Sequence, residues 1–154
     1  MGMWARLNYW LGAMVFFTGI GRWHRRLHDF SMARLQRAAD MGQGQALLLI
    51  GQLLKYRGVS VSHRQAGVRY LRRAAKQGCK DAQFMLAESL ADESLQLPHN
   101  DEDVLTLYIQ AAQQSHTMAA LRLKKAYTDG LWGASTDAAQ ASYWSGQFMK
   151  SSKQ

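Results

Sequence analysis

Apolar residues recur at steps of three and four along nearly the whole chain, the period that places them on one face of a helix. Ala46, Ile50, Leu53 and Leu54 form one such set, Ala82, Leu86 and Leu90 a second, and Leu123, Ala126 and Tyr127, following Ala119, a third. Between them run Ala66, Tyr70, Leu71 and Ala74, then Leu107, Tyr108 and Ala111, and after Asp137 come Ala141 and Trp144. The pattern predicts eight helices at about 3–18, 27–40, 44–57, 62–76, 80–92, 101–114, 117–129 and 135–149, and no strand. Loops this short make successive helices antiparallel.

A second, longer period lies over the first. The pattern Ala-Ala-x2-Gly/Ser-x3-Ala occurs at Ala38-Ala39, Gly42 and Ala46, at Ala74-Ala75, Gly78 and Ala82, and at Ala111-Ala112, Ser115 and Ala119. The intervals are 36 and 37 residues, and each copy falls between two helical runs. Small side chains there let two helices cross closely, and the glycine stands where a helix end favours the left-handed conformation. A fixed period of this size is the mark of a repeat architecture. The chain reads as one all-α repeat domain over 1–154, with repeats at about 3–42, 44–78, 80–115 and 117–149.

The order Ala-x3-Leu/Ile-Gly-x-Leu-x2-Tyr-x-Gly-Val, then Ala-x3-Tyr-Leu-x2-Ala-Ala-x2-Gly-x3-Ala-x3-Leu, best matched over residues 46–86, resembles the SEL-one-like repeat, a relative of the tetratricopeptide repeat. Residues 82–123 and 119–148 are degenerate copies, with Ser115 for glycine and Ala87 and Lys124 at the glycine of the Leu-Gly pair. The resemblance implies a right-handed α-solenoid of about four helix–turn–helix repeats that serves as an adaptor or scaffold for a protein or peptide. It also implies that the first helix of each pair lines a concave track. Superposed copies align Tyr9, Leu48, Phe84 and Leu121, with Gln52, Glu88 and Lys125 one turn on. These residues are either inter-repeat core or an apolar track with polar rims.

Residues 7–21 carry no charge and are followed by Arg22, Arg25 and Arg26. A cleaved leader fits poorly, because small residues do not follow the apolar run. As a helix, fifteen residues reach about 22 Å, short of the ~30 Å hydrocarbon core of a bilayer. The third reading makes them the first helix of the first repeat, since Leu11-Gly12 and Gly19 match Ile50-Gly51 and Gly58, and it is the favoured one. Trp4, Tyr9, Trp10, Phe16 and Phe17 exceed what one neighbouring helix can cover. Residues 1–26 are therefore expected to meet a membrane surface, a second copy or a partner through part of this helix.

Charge adds a gradient to this picture. Net charge is +8, yet residues 1–80 hold 14 Lys/Arg against two Asp/Glu, and residues 81–121 hold seven acids and no base. Arg64, Arg69, Arg72, Arg73 and Lys76 form a basic strip, expected opposite Tyr70 and Ala74, that would attract an acidic protein, lipid headgroups or RNA. The strip has no interleaved aromatics, which disfavours recognition of single-stranded nucleic acid by stacking. The loop 92–103 is acidic and holds Pro98, the one proline, with Asn100 or Asp101 expected to cap the next helix.

The chemistry of catalysis finds little footing. His24, His28 and Asp29 lie among arginines, a poor setting for a cation, and the lone Cys79 excludes an intramolecular disulfide or a multi-cysteine zinc site. No nucleophile turn of the Gly-x-Ser-x-Gly kind is present. No catalytic residue, metal or cofactor is expected. The competing readings are a membrane-anchored accessory subunit inserted by residues 1–21 and a basic nucleic-acid binder, the latter disfavoured. The expected location is the cytoplasm, with contact to the inner membrane: if the apolar segment spans, the arginine excess after it places the rest of the chain on the cytoplasmic side; the periplasm is the alternative.

Overall fold

The structure is a computed structural model describing residues 3–17, 25–58, 60–95, 97 and 101–152, with the side chains of 15–17, 25–28, 101 and 102 outside the description. Among these residues there are eight α-helices and no strand. They are α1 (Met3–Phe17), α2 (Arg25–Asp40), α3 (Gly44–Arg57), α4 (Val61–Lys76), α5 (Lys80–Leu90), α6 (Asp101–Gln113), α7 (Thr117–Asp129) and α8 (Ala138–Ser151). Every helix end lies within three residues of the position the apolar period predicts. The largest shifts are at α8, which starts at Ala138 because Asp137 caps it, and at α5, which stops at Leu90 before a 3-10 turn over Glu93–Leu95. The capping expected of Asn100 or Asp101 falls on residues outside the described side chains.

The chain divides into two compact units, Met1–Ala74 and Ala75–Gln154. In the first, α1 packs on α2 and α2 on α3; in the second, α5 packs on α6, α6 on α7 and α7 on α8. The three junctions of the long period have one construction. Ala38, Ala39, Ala46, Ala74, Ala82, Ala111 and Ala119 are buried, as are Ala75 and Ala112. Gly42, Gly78 and Ser115 adopt φ of 80°, 83° and 62°, the left-handed conformation that ends a helix. In each copy the left-handed residue donates its N–H to the carbonyl of the second alanine, at 2.9 Å from Gly42 to Ala39, Gly78 to Ala75 and Ser115 to Ala112. The next residue reaches the first alanine, Gln43 to Ala38 at 3.0 Å and His116 to Ala111 at 3.1 Å. Carbonyls that the helix end would leave unpaired are thus satisfied inside a four-residue turn.

The residue after the turn also opens the following helix. Gln43 accepts the N–H of Ala46 on its side-chain oxygen, and His116 accepts that of Ala119 on Nδ1 at 3.2 Å. Cys79 stands at the equivalent N-cap of α5 without a side-chain cap bond. Its place is that of a turn residue, between Gly78 and Lys80.

Close approach of the paired helices fixes their register. A methyl group on Gly12 would come within 2.8 Å of Leu35 Cγ and 2.9 Å of the Ser31 carbonyl oxygen. One on Gly51 would meet Leu71 at 2.8 Å and the Gly67 oxygen at 3.2 Å. Leu35 and Leu71 stand 36 residues apart, as do Ser31 and Gly67, so α1 meets α2 as α3 meets α4. Helix α1 is therefore the first helix of a pair. No helix among the described residues is long and apolar enough to cross a membrane. The Gly19 position of the expected match lies outside the described residues.

Three glycines separate the physical reasons for having one. Gly67→Val should lower stability by about 2 kcal/mol in urea unfolding, since even its Cβ would lie 2.8 Å from the Gly51 oxygen and the Lys55 nitrogen. Gly78→Ala, with open space but φ of 83°, should cost ~1 kcal/mol. Gly146→Ala, in an exposed part of α8 with nothing within 4 Å, should instead stabilise by roughly 0.5–1 kcal/mol.

Candidate functional site

In the second unit, residues of α5, α6 and α7 converge on Glu88. Its Oε1 accepts the Tyr108 hydroxyl at 2.6 Å and Arg122 Nε at 2.7 Å, and its Oε2 accepts Arg122 Nη2 at 2.9 Å. The planar guanidinium matches both carboxylate oxygens, the strongest form of such a pair. Tyr108 is fully buried, and burial together with the Glu88 bond pushes its hydroxyl pKa far up, so it remains a donor. The hydrogen bond to Glu88 likewise holds the Arg122 pKa above its ordinary value. Tyr108 occupies the place that Leu35 and Leu71 hold in the earlier copies, 37 residues after Leu71.

One turn before Glu88, half-buried Phe84 stacks on His116 with ring centroids 4.4 Å apart and planes at 24°. Tyr108 lies 6.0 Å from Phe84 and 4.9 Å from Trp132, which the loop after α7 brings over it at a φ of 54°. His116 Nε2 stands 3.6 Å from Asp81 Oδ1. Burial lowers the imidazole pKa, Lys80 lowers it further, and Asp81 opposes both. A neutral ring with its proton on Nε2 can accept the Ala119 N–H on Nδ1, and a protonated ring cannot.

Of the expected track, Phe84 and Glu88 are thus tied into contacts between helices of their own unit. Leu121 and Lys125 differ. With Arg122, Lys124, Thr128 and Asp129 they line an open cavity of about 330 Å³ on α7, mostly apolar in surface. Leu48 and Gln52 lie half-buried on α3, and half-buried Tyr9 lies on α1 with its ring edge-on to Trp10 at 6.0 Å.

The basic strip departs from its expected form. Arg73 does not point away from Tyr70: its guanidinium lies 6.0 Å from that ring and donates to the carbonyl oxygens of Ala39 at 3.0 Å and Asp40 at 3.3 Å. It closes the C-terminus of α2, where a cation is favoured. Gln36 reaches the Tyr70 hydroxyl from the same helix. Arg69, Arg72 and Lys76 are exposed and Arg64 is half-buried. The side chains of His24 and His28 lie outside the description, and among the described residues no group of three or more His, Cys, Asp or Glu could hold a metal.

Sequence reasoning missed Tyr108, Arg122 and His116. A signal existed in the spacing: Glu88 and Arg122 are 34 residues apart, as are Gln36 and Tyr70, and Ala39 and Arg73. Polar pairs slightly short of one repeat period mark bonds between adjacent copies.

Two outcomes follow from this geometry. A double-mutant cycle of Glu88→Ala and Arg122→Ala, read by urea unfolding, should show a coupling of ~1 kcal/mol, and additive losses would deny the pair any role in stability. For His116 the folded pKa lies below the unfolded value of about 6.5, so the unfolded chain binds the proton more readily. The stability it contributes is present above pH ~6.5 and is lost as pH falls through the lowered folded value. The melting temperature should therefore drop more steeply on acidification in the wild type than in His116→Asn, which keeps a capping acceptor without titrating.

No protein-family model matches the sequence, and no curated protein matches it. Solved structures do. A Sel1 repeat protein from Oxalobacter formigenes is 24% identical, with a TM-score of 0.67 over 75% of this chain and 87% of that one. A protective antigen present in uropathogenic Escherichia coli strains, displaying an SLR fold, is 19% identical with a TM-score of 0.74 over 97% of this chain. The present chain spans 34% of that antigen's length. With its alanine junctions in the same left-handed turns and its helices in antiparallel pairs, the chain has the fold of the SEL-one-like repeat proteins, an all-α solenoid.

Proposed function

We propose that the chain is a non-enzymatic adaptor that holds a segment of a partner protein on its solenoid surface. The observation that carries this reading is the open cavity on α7. It offers Leu121 and an apolar surface rimmed by Arg122, Lys124 and Lys125, with Asp129 at one end. A short helix or peptide placing an apolar side chain on Leu121 and carboxylates beside the lysines is complementary to it. The polar groups that could otherwise suggest catalysis serve the fold: Glu88 holds Arg122 and Tyr108, and His116 caps α7. Arg122 has two roles in this reading, since its fixed guanidinium forms part of the rim. The likeness in fold to a Sel1 repeat protein supports a scaffold over an enzyme.

Leu121→Asp with Lys125→Glu tests the proposal. Lys125 is exposed and Leu121 half-buried on α7, so unfolding should change by no more than about 1–2 kcal/mol and leave the chain folded. Quantitative affinity capture from the native cell should then lose at least one protein retained by the wild type, and direct binding of that protein should weaken by about tenfold or more. An unchanged set of captured proteins would refute the assignment of this surface.

A further inference from the structure

Helix α1 is apolar on two sides. Ala5, Asn8, Gly12 and Ala13 are buried, and Gly12 lies against α2. Met3, Trp4, Leu7, Trp10, Leu11 and Met14 are exposed, with Trp4 and Trp10 each 68% exposed and Met3 78%. At 3.6 residues per turn these six fall within an arc of about 120° running the length of the helix. A contiguous apolar stripe of this size on a surface marks a place where something binds. A helix without a polar side has no face of its own for water.

Charge selects the occupant. Residues 1–28 carry four arginines and no acid, and the unit Met1–Ala74 carries 12 Lys/Arg against two Asp/Glu. A second copy meeting this stripe face to face would bring the same positive charge against it. A surface of anionic headgroups over hydrocarbon is complementary to both the charge and the stripe. Tryptophan is the side chain that prefers the boundary between headgroups and acyl chains, and the stripe holds two of them, Trp4 and Trp10, about one and two-thirds turns apart. Exposed Arg6 lies just beyond the Trp10 edge of the arc, where its guanidinium can reach the headgroups while its stem stays on the apolar side. The fifteen described residues of α1, about 22 Å of helix, are too few to cross the core of a bilayer.

We infer that α1 is a membrane-surface docking helix, lying parallel to an anionic bilayer with Met3, Trp4, Leu7, Trp10, Leu11 and Met14 buried at the headgroup–acyl boundary. The inference is independent of the α7 surface, which belongs to the other unit.

The test is flotation of the full chain with vesicles of phosphatidylcholine alone and of phosphatidylcholine mixed with phosphatidylglycerol. The wild type should float with the anionic vesicles and far less with the neutral ones. Trp4→Ser with Trp10→Ser should reduce the partition coefficient by about tenfold or more at unchanged melting temperature, since both rings are exposed. Leu7→Gln with Met14→Gln, which leaves the tryptophans in place, should reduce it in the same direction and serves if the first variant misfolds. Failure of the wild type to bind anionic vesicles, equal binding by the folded variants, or a wild-type dimer that the tryptophan substitutions dissolve would each overturn the inference. Loss of vesicle binding in the Trp4/Trp10 variant with α7 capture intact would separate this proposal from the adaptor reading.

Discussion

The fold rests on backbones brought close enough to touch through small side chains. Two helices packed through leucines stand about 8–10 Å apart, and only Ala or Gly at the crossing lets them come nearer. This chain places alanine doublets at the three junctions of the long period and glycine at Gly12, Gly51 and Gly67, where an added Cβ would press on backbone or on a packed leucine. Such contacts recover dispersion energy along a length of backbone and leave no room for a rotamer to vary. The same alanines carry the carbonyls that the left-handed turn satisfies, so packing and helix termination are settled by one stretch of nine residues. That coupling explains why the pattern can recur with degenerate residues around it. Ser115 keeps the turn at φ 62° although it lacks glycine's freedom, because the Ala111 and Ala112 carbonyls still hold it.

Variation on this frame is where the second unit acquires its character. At the position of Leu35 and Leu71 stands Tyr108, equally buried but with a hydroxyl that must find an acceptor. Glu88 supplies it, and a carboxylate half shielded from water in turn requires a cation, which Arg122 provides. One substitution at a core position therefore entails two polar residues on neighbouring helices. The group is satisfied as a set, and a partial set would leave an unpaired charge. Phe84, His116 and Trp132 close around it as an aromatic cluster.

This division accounts for what was legible in the sequence. Helix positions and junctions follow from apolar period and small-residue spacing, which are properties of single residue types and survive projection onto one dimension. Aligning the copies places Phe84 and Glu88 one turn apart on one helix, but alignment alone says nothing of what those side chains face. Whether Glu88 meets a partner or an arginine depends on Arg122, on another helix 34 residues on, and charge composition hid it: residues 81–121 carry only acids, and Arg122 is the next residue. Arg73 was misplaced for a related reason. Helical spacing puts it beside Arg69 and Arg72, yet a long side chain can turn back to the end of an adjacent helix, and the terminal carbonyls of Ala39 and Asp40 draw it there, that of Ala39 accepting it alongside the Gly42 N–H.

Helix α1 shows how a repeat helix can carry a second surface. An internal first helix is covered by neighbours on both sides, so its outward residues are ordinarily paired with another copy. In α1 the inner side keeps the repeat's design, with Gly12 against Leu35 as Gly51 is against Leu71. The outer side is not polar: its large apolar residues are exposed. Large apolar residues lie along one arc, and the first 28 positions hold no acid. Either property alone has a plain structural origin, in core packing or in net charge. Together, on a helix whose described residues are too few to span a bilayer, they are the two observations on which the proposed docking to anionic lipid rests, and neither depends on the α7 surface of the other unit.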